Sequence, residues 1–239
     1  MKIINYKNYS DIDIQFLDEH GYISRNCTYG NFIRGNITNP YDRTVCGVGY
    51  FGEGKYKSSY SKKVISKDYV SWNAMLTRCY VEIYRNKYNS YYGLATVCEE
   101  WHNFQNFAEW YNNNKYEVDG RLHLDKDILF PGNKIYSPDT CLLVPQRINM
   151  LFLNKPNKRG LPNGISLTKS KKYCAEYNDK RLGTYKTLEG AYLAYSQEKE
   201  ETIKVIADEY KDTLPKNVYE ALLNYKSEIL VDQNYKLIS

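Results

Sequence analysis

The chain has 239 residues, of which 26% are charged and 42% apolar, and its net charge is +5. That length supports more than one small core or a single large one. No run of about 18 apolar residues is present, which argues against a membrane span, and Met1 to Ser10 lacks the apolar core of a secretory signal.

Six cysteines (Cys27, Cys46, Cys79, Cys98, Cys141 and Cys174) are scattered without a close pair. That spacing suits free thiols in a reducing compartment, so a cytoplasmic protein without zinc is expected. The 26 tyrosines are accompanied by abundant Asn and Lys, a bias that AT-rich codons explain in part.

Residues 1–50 read as β-rich. Ile12 to Phe16 alternates with period 2, Glu19-His20-Gly21 offers a turn, and Tyr22-Ile23 resumes the pattern. A small meander or barrel is expected in a module spanning 1–66. The glycines from Gly47 to Gly54 lack the lysine spacing of a phosphate loop. Over 67–80 the period becomes helical, with Trp72, Met75, Leu76 and Cys79 on one stripe. A second helix is predicted from about Asn103 to Asn112, with Phe104, Phe107, Ala108 and Tyr111 facing inward. Leu122 to Ile128 then reads as a strand, Pro131-Gly132-Asn133 as a turn, and Cys141 to Val144 as a strand. Pro145 can open a helix at its first position, carrying Ile148, Asn149 and Leu151. This is a ββα unit, and it closes a central region spanning 67–153.

Residues 154–162 read as a linker. Three short strands follow, Gly164 to Thr168, Tyr173 to Tyr177 and Arg181 to Tyr185. Thr187 caps a long helix whose predicted inner face is Ala191, Ala194, Tyr195, Thr202, Val205 and Ile206. A further helix is expected after Pro215, using Val218, Ala221, Leu222, Tyr225 and Ile229. The predicted class is therefore α+β: a small N-terminal β-rich module, a central helical plus ββα unit, and a three-stranded sheet packed on a helix over 163–239, with a further C-terminal helix.

Charge is unevenly placed. Residues 154–186 carry nine Lys or Arg against Glu176 and Asp179, a net of +7, whereas 187–239 is net −4. A concentrated basic segment with interspersed tyrosine is the footprint expected of a phosphate-backbone binder. On the sheet, Ile165, Leu167, Tyr173, Ala175, Tyr177 and Leu182 are predicted to face inward. Ser166, Thr168, Lys172, Glu176 and Arg181 then face outward. That outer face suits a major groove, where Arg reads guanine and Ser or Thr reads several edges. Lys169, Lys171 and Lys180 at the turns would grip phosphates.

Two resemblances follow from these residues. Trp72, Met75, Arg78-Cys79-Tyr80, Val97 to Trp101, Phe104, Phe107, Leu124-Asp125-Lys126-Asp127, Gly132-Asn133, Tyr136 to Cys141 and Asn149 stand in an order that resembles the HNH-type proteins common in phages. The stretch covers about 80 residues. Residues 163–209 resemble an AP2 DNA-binding domain, through Gly164-Ile165, Lys172 to Tyr177, Leu182 to Tyr185 and Glu189 to Tyr195.

The HNH resemblance implies a homing-endonuclease-like nuclease that hydrolyses a phosphodiester of double-stranded DNA with one Mg²⁺ or Mn²⁺. By position, Asp125 and Asn149 are the metal ligands. Lys126 falls where the family carries its general-base histidine. A lysine with its ordinary pKa of about 10.4 is protonated at neutral pH and cannot accept a proton. Lys126 would instead stabilise phosphorane charge, or act as base if burial depressed it. His123 is the other catalytic candidate. Along a strand it shares a face with Asp125 while Lys126 points away. A catalytically inactive DNA-binding or regulatory protein of the same architecture is the alternative that Lys126 favours. A virion component or host-factor-binding protein, using its tyrosines at a protein or homo-oligomeric interface, is a second alternative.

Overall fold

The structure is a computed structural model that describes residues 1–62, 64–84, 93–153 and 157–235. It is a mixed α+β chain of small sheets. Strands β1 (Lys2–Asn8), β2 (Asp11–Gln15) and β3 (Ile23–Cys27) form an antiparallel meander in chain order. Ile12 and Ile14 are fully buried, as the alternation predicts. Asp13 between them is buried as well, because Asn5 Nδ2 and the Asn26 amide both donate to its carboxylate at 3.1 Å. A one-turn helix, α1 (Tyr29–Ile33), and a hairpin of β4 (Ser59–Ser61) and β5 (Val64–Ile65) complete this region; neither carries enough period to be read from sequence.

Helix α2 (Lys67–Tyr80) begins where Ser66 accepts a bond from the Tyr69 amide, a cap that contributes about 1 kcal/mol. All four predicted stripe residues, Trp72, Met75, Leu76 and Cys79, are buried. Each buried large side chain contributes roughly 1.5–3 kcal/mol. Strand β6 (Thr96–Val97) leads to α3 (Phe104–Asn114), whose Phe104, Phe107, Ala108 and Tyr111 face α2. The Trp72 indole donates to Trp101 O at 2.7 Å, so this core side chain buries its N–H with a partner.

The chain from Val45 to Tyr56 packs on this same central cluster, although it precedes the predicted boundary at residue 66. Gln105 on α3 pins it, donating to Phe51 O and Tyr56 O and accepting from the Tyr56 amide. At Gly49 a Cβ would stand 2.5 Å from Leu76 Cδ1 and 2.8 Å from the Trp72 ring, which is why this approach requires glycine.

Strand β7 (Leu122–Asp125) pairs antiparallel with β9 (Leu142–Pro145), with His123 opposite Val144 and Asp125 opposite Leu142. Between them β8 (Ile135–Tyr136) runs parallel to β6. Helix α4 (Gln146–Leu151) follows directly from Pro145. The predicted ββα order is thus present, with the first strand ending at Asp125 rather than Ile128.

Strands β10 (Ile165–Leu167), β11 (Tyr173–Tyr177) and β12 (Lys180–Tyr185) form the second antiparallel meander, packed on helix α5 (Leu188–Glu209). Thr187 caps α5 by accepting from the Gly190 amide at 3.1 Å. Ile165 and Ala175 are fully buried under it, but Leu167, predicted inward, is 55% exposed. Leu167 lies on the same side of its strand as Ile165, so the helix's cover ends between them.

Helix α5 serves two cores. Leu188, Ala191, Tyr192 and Tyr195 pack on the sheet, while Ile203, Ile206 and Ala207 pack with Ile128, Leu142, Val144 and Ile148 of the ββα unit. Val205, predicted inward, is exposed, because the buried stripe runs through Ile203 and Ala207 instead. Helix α6 (Lys216–Asn224) adds Val218 and Leu222 to the second core, and Arg147 of α4 pairs with Glu209 at the end of α5. The predicted linker falls partly outside the described residues, which omit 154–156. Among the described residues no helix is long and apolar enough to cross a membrane.

Candidate active site

The end of β7 is turned by its own aspartate. Asp125 Oδ1 accepts from the Asp127 and Ile128 amides, both at 2.8 Å, which bends the chain out of the strand. Lys126 therefore does not continue the strand alternation. It lines the same cavity as His123 and Asp125 instead of facing away. Its side chain is buried, and the ammonium donates to Asp127 Oδ1 at 2.7 Å and to Asn133 O at 2.6 Å. Asn133 returns the favour with a bond from its amide group to Lys126 O at 3.0 Å, and its Oδ1 accepts from the Ile135 amide. Lys126 is thus the peg of the 126–135 loop. Its short ion pair is with Asp127, at 2.7 Å.

The cavity beside this loop has a volume of about 810 Å³. His123 and Asp125 enter from β7 and Asn149 from α4. Lys67, Arg78, Arg121, Lys134 and Lys199 bring positive charge, against Asp125, Asp127, Glu228 and Asp232. Burial pushes the Asp125 carboxyl up to about 6, helped by the neighbouring Asp127 charge and opposed by the two amide bonds and Lys126. Burial also depresses the His123 imidazole, and the guanidiniums of Arg78 and Arg121 add to that shift. His123 is accordingly neutral at physiological pH and able to accept a proton.

No family model, curated protein or solved structure matches this chain.

Metal fit rests on the donors themselves. Among the described residues no group of three or more His, Cys, Asp or Glu is placed to hold an ion. Mg²⁺, however, takes one or two protein oxygens and completes its shell with water and substrate phosphate. Asp125 and Asn149 supply that number from facing elements of one cavity. The raised Asp125 value means that its charge is under-compensated by the surrounding protein, which is the condition a cation relieves. Asp125 and Asn149 are oxygen donors of the kind that Mg²⁺ or Mn²⁺ takes, and both line this cavity.

The basic sheet packs on the first half of α5, whose Tyr192 and Tyr195 also line the cavity. Lys169, Lys171, Lys172 and Arg181 are exposed, and Ser166 is half-buried on the outer side. Thr168 is committed to its turn, since its hydroxyl donates to Lys172 O and accepts from the Lys172 amide, both at 3.0 Å. Lys180 reaches toward the helix, pairing with Glu198 of α5 at 2.8 Å. Arg181 Nη2 donates to Thr184 Oγ1 at 2.7 Å along its own strand. Of the predicted contact residues, Thr168, Lys180 and Arg181 thus have local partners.

Sequence reasoning missed the walls that α2 and α5 give the cavity, Arg78 and Lys199 above all. The signal available for Arg78 was a basic residue directly preceding Cys79 at the edge of a buried stripe.

Proposed function

We propose that the chain binds double-stranded DNA through its C-terminal basic sheet and presents the ββα cavity to the backbone as an HNH-type phosphodiester-hydrolysing site. The observation that carries this reading is that His123, Asp125 and Asn149 line one cavity together with several basic side chains. His123 is the group placed to take a proton from an attacking water. Asp125 and Asn149 are the donors for Mg²⁺ or Mn²⁺, which would stabilise charge on the phosphate. Lys126, pegged between Asp127 and Asn133, acts on the shape of the loop and not as a base.

That same clamp favours a second reading, a DNA-binding protein of this architecture that does not cleave. Supercoiled plasmid incubated with Mg²⁺ or Mn²⁺ separates the two. Nicking by the wild type, lost in His123→Ala and Asp125→Ala with duplex affinity retained, is the expected result. Salt-dependent duplex binding without nicking leaves only the second reading. A log–log salt slope near zero removes both and favours a protein-interaction role.

A further inference from the structure

The HNH resemblance includes Arg78, but the site described above gives it no task. Arg78 sits near the end of α2, next to buried Cys79 and on a helix anchored by Trp72, Met75 and Leu76. Its guanidinium lies 5.7 Å from the centroid of the Tyr136 ring. Tyr136 is only 1% exposed and belongs to β8, so the guanidinium rests on a fixed surface. Arg121, immediately before β7, enters the same cavity. Its backbone is held too, since Arg121 O accepts from the Gln146 amide at 3.2 Å.

We propose that Arg78 and Arg121 form an anion subsite beside His123, which takes a phosphate group: a backbone phosphodiester in DNA, or inorganic phosphate alone. This rests on the reading that the cavity receives a nucleic-acid backbone. A guanidinium can pair with two phosphate oxygens at once, and both Arg78 and Arg121 line this cavity. Two such groups from separate elements gather positive charge, and Lys67 and Lys134 on the same cavity extend it. Two of the cavity's carboxylates are already engaged. Asp127 accepts from Lys126, and Asp232 accepts from the backbone amides of Asn163 and Asn234. At about 810 Å³ the space exceeds that of one phosphate.

The chain has three histidines, so the imidazole resonances of His20, His102 and His123 can be followed separately by NMR during a titration with inorganic phosphate. A saturable shift of His123 is expected, with His20 and His102 as references. Arg78→Met should weaken the midpoint by roughly tenfold, the order of one charge-assisted pair. Arg78→Lys, which keeps the charge but loses the fork, should fall between. If Arg78→Met melts early, Arg78→Lys and Arg121→Met decide the matter. An unmoved His123 in the wild type, or a midpoint unchanged in the folded variants, overturns the subsite. Plasmid nicking is scored separately. A phosphate response without nicking removes the hydrolysis reading and leaves the subsite, while nicking with Arg78-independent phosphate binding removes the subsite alone.

Discussion

Replacing Asp125 by asparagine should make the protein more stable at neutral pH and no more stable in acid. The carboxyl titrates near 6 in the folded chain and near its ordinary 3.8 when unfolded. The folded state thus holds the proton more tightly. Its contribution is fully present below pH 3.8 and is lost as the pH rises through about 6. The interval corresponds to about 3 kcal/mol. Asparagine never ionises, yet its Oδ1 can still accept the Asp127 and Ile128 amides that turn the chain. Urea unfolding in EDTA, at steps from pH 4.5 to 7.5, isolates the effect because every other titration is common to both proteins. The stability difference in favour of Asp125→Asn should grow by about 2 kcal/mol across that range. A constant offset, or one that shrinks as the pH rises, would refute the claim that this carboxylate is buried without enough compensating charge. Adding Mg²⁺ should narrow the gap, since only the wild type gains an ionic ligand.

Lys126→Met removes the bonds to Asp127 and Asn133 and should cost about 2 kcal/mol in denaturant unfolding; a variant of unchanged stability with abolished nicking would instead mark Lys126 as the base. Gly132→Ala places a Cβ 2.9 Å from Val231 Cβ at a φ of +77°. It should cost about 2 kcal/mol, and pairing it with Val231→Ala should recover only the overlap, leaving the left-handed backbone cost of about 1 kcal/mol. Converting Lys171, Lys172 and Arg181 together to Gln should lower the log–log salt slope of duplex binding by about 2–3. Lys180→Gln, whose amine is tied to Glu198, should change it less.

What could be read from sequence was whatever depended on local period and turn chemistry. The α2 stripe, the α3 face, the span of β11 and the Thr187 cap all follow from neighbours within a few residues. The misses share one origin, which is packing between distant segments. Leu167 is exposed because the helix above it stops short. Val205 is exposed because α5 turns one stripe toward two partners. Lys126 shares the cavity because Asp125 takes two amides and ends the strand at its own position, three residues short of the predicted Ile128. Asp125, His123 and Asn149 were legible as a motif, but Arg78 reaches the same cavity only through the α2–α3 packing that seats its helix.

Helix α5 is 22 residues long, which makes it about 33 Å from end to end. Both of its halves are wedged into hydrophobic clusters, so it behaves as a strut and not as a tether. If the sheet grips a duplex while the cavity meets its backbone, the offset between the two is built into the protein like the marks on a ruler. Tyr192 and Tyr195 lie under the sheet and also line the cavity, so that offset is shorter than the helix itself. Scission, on that footing, would recur at a single distance from the gripped sequence instead of being scattered over a reachable window.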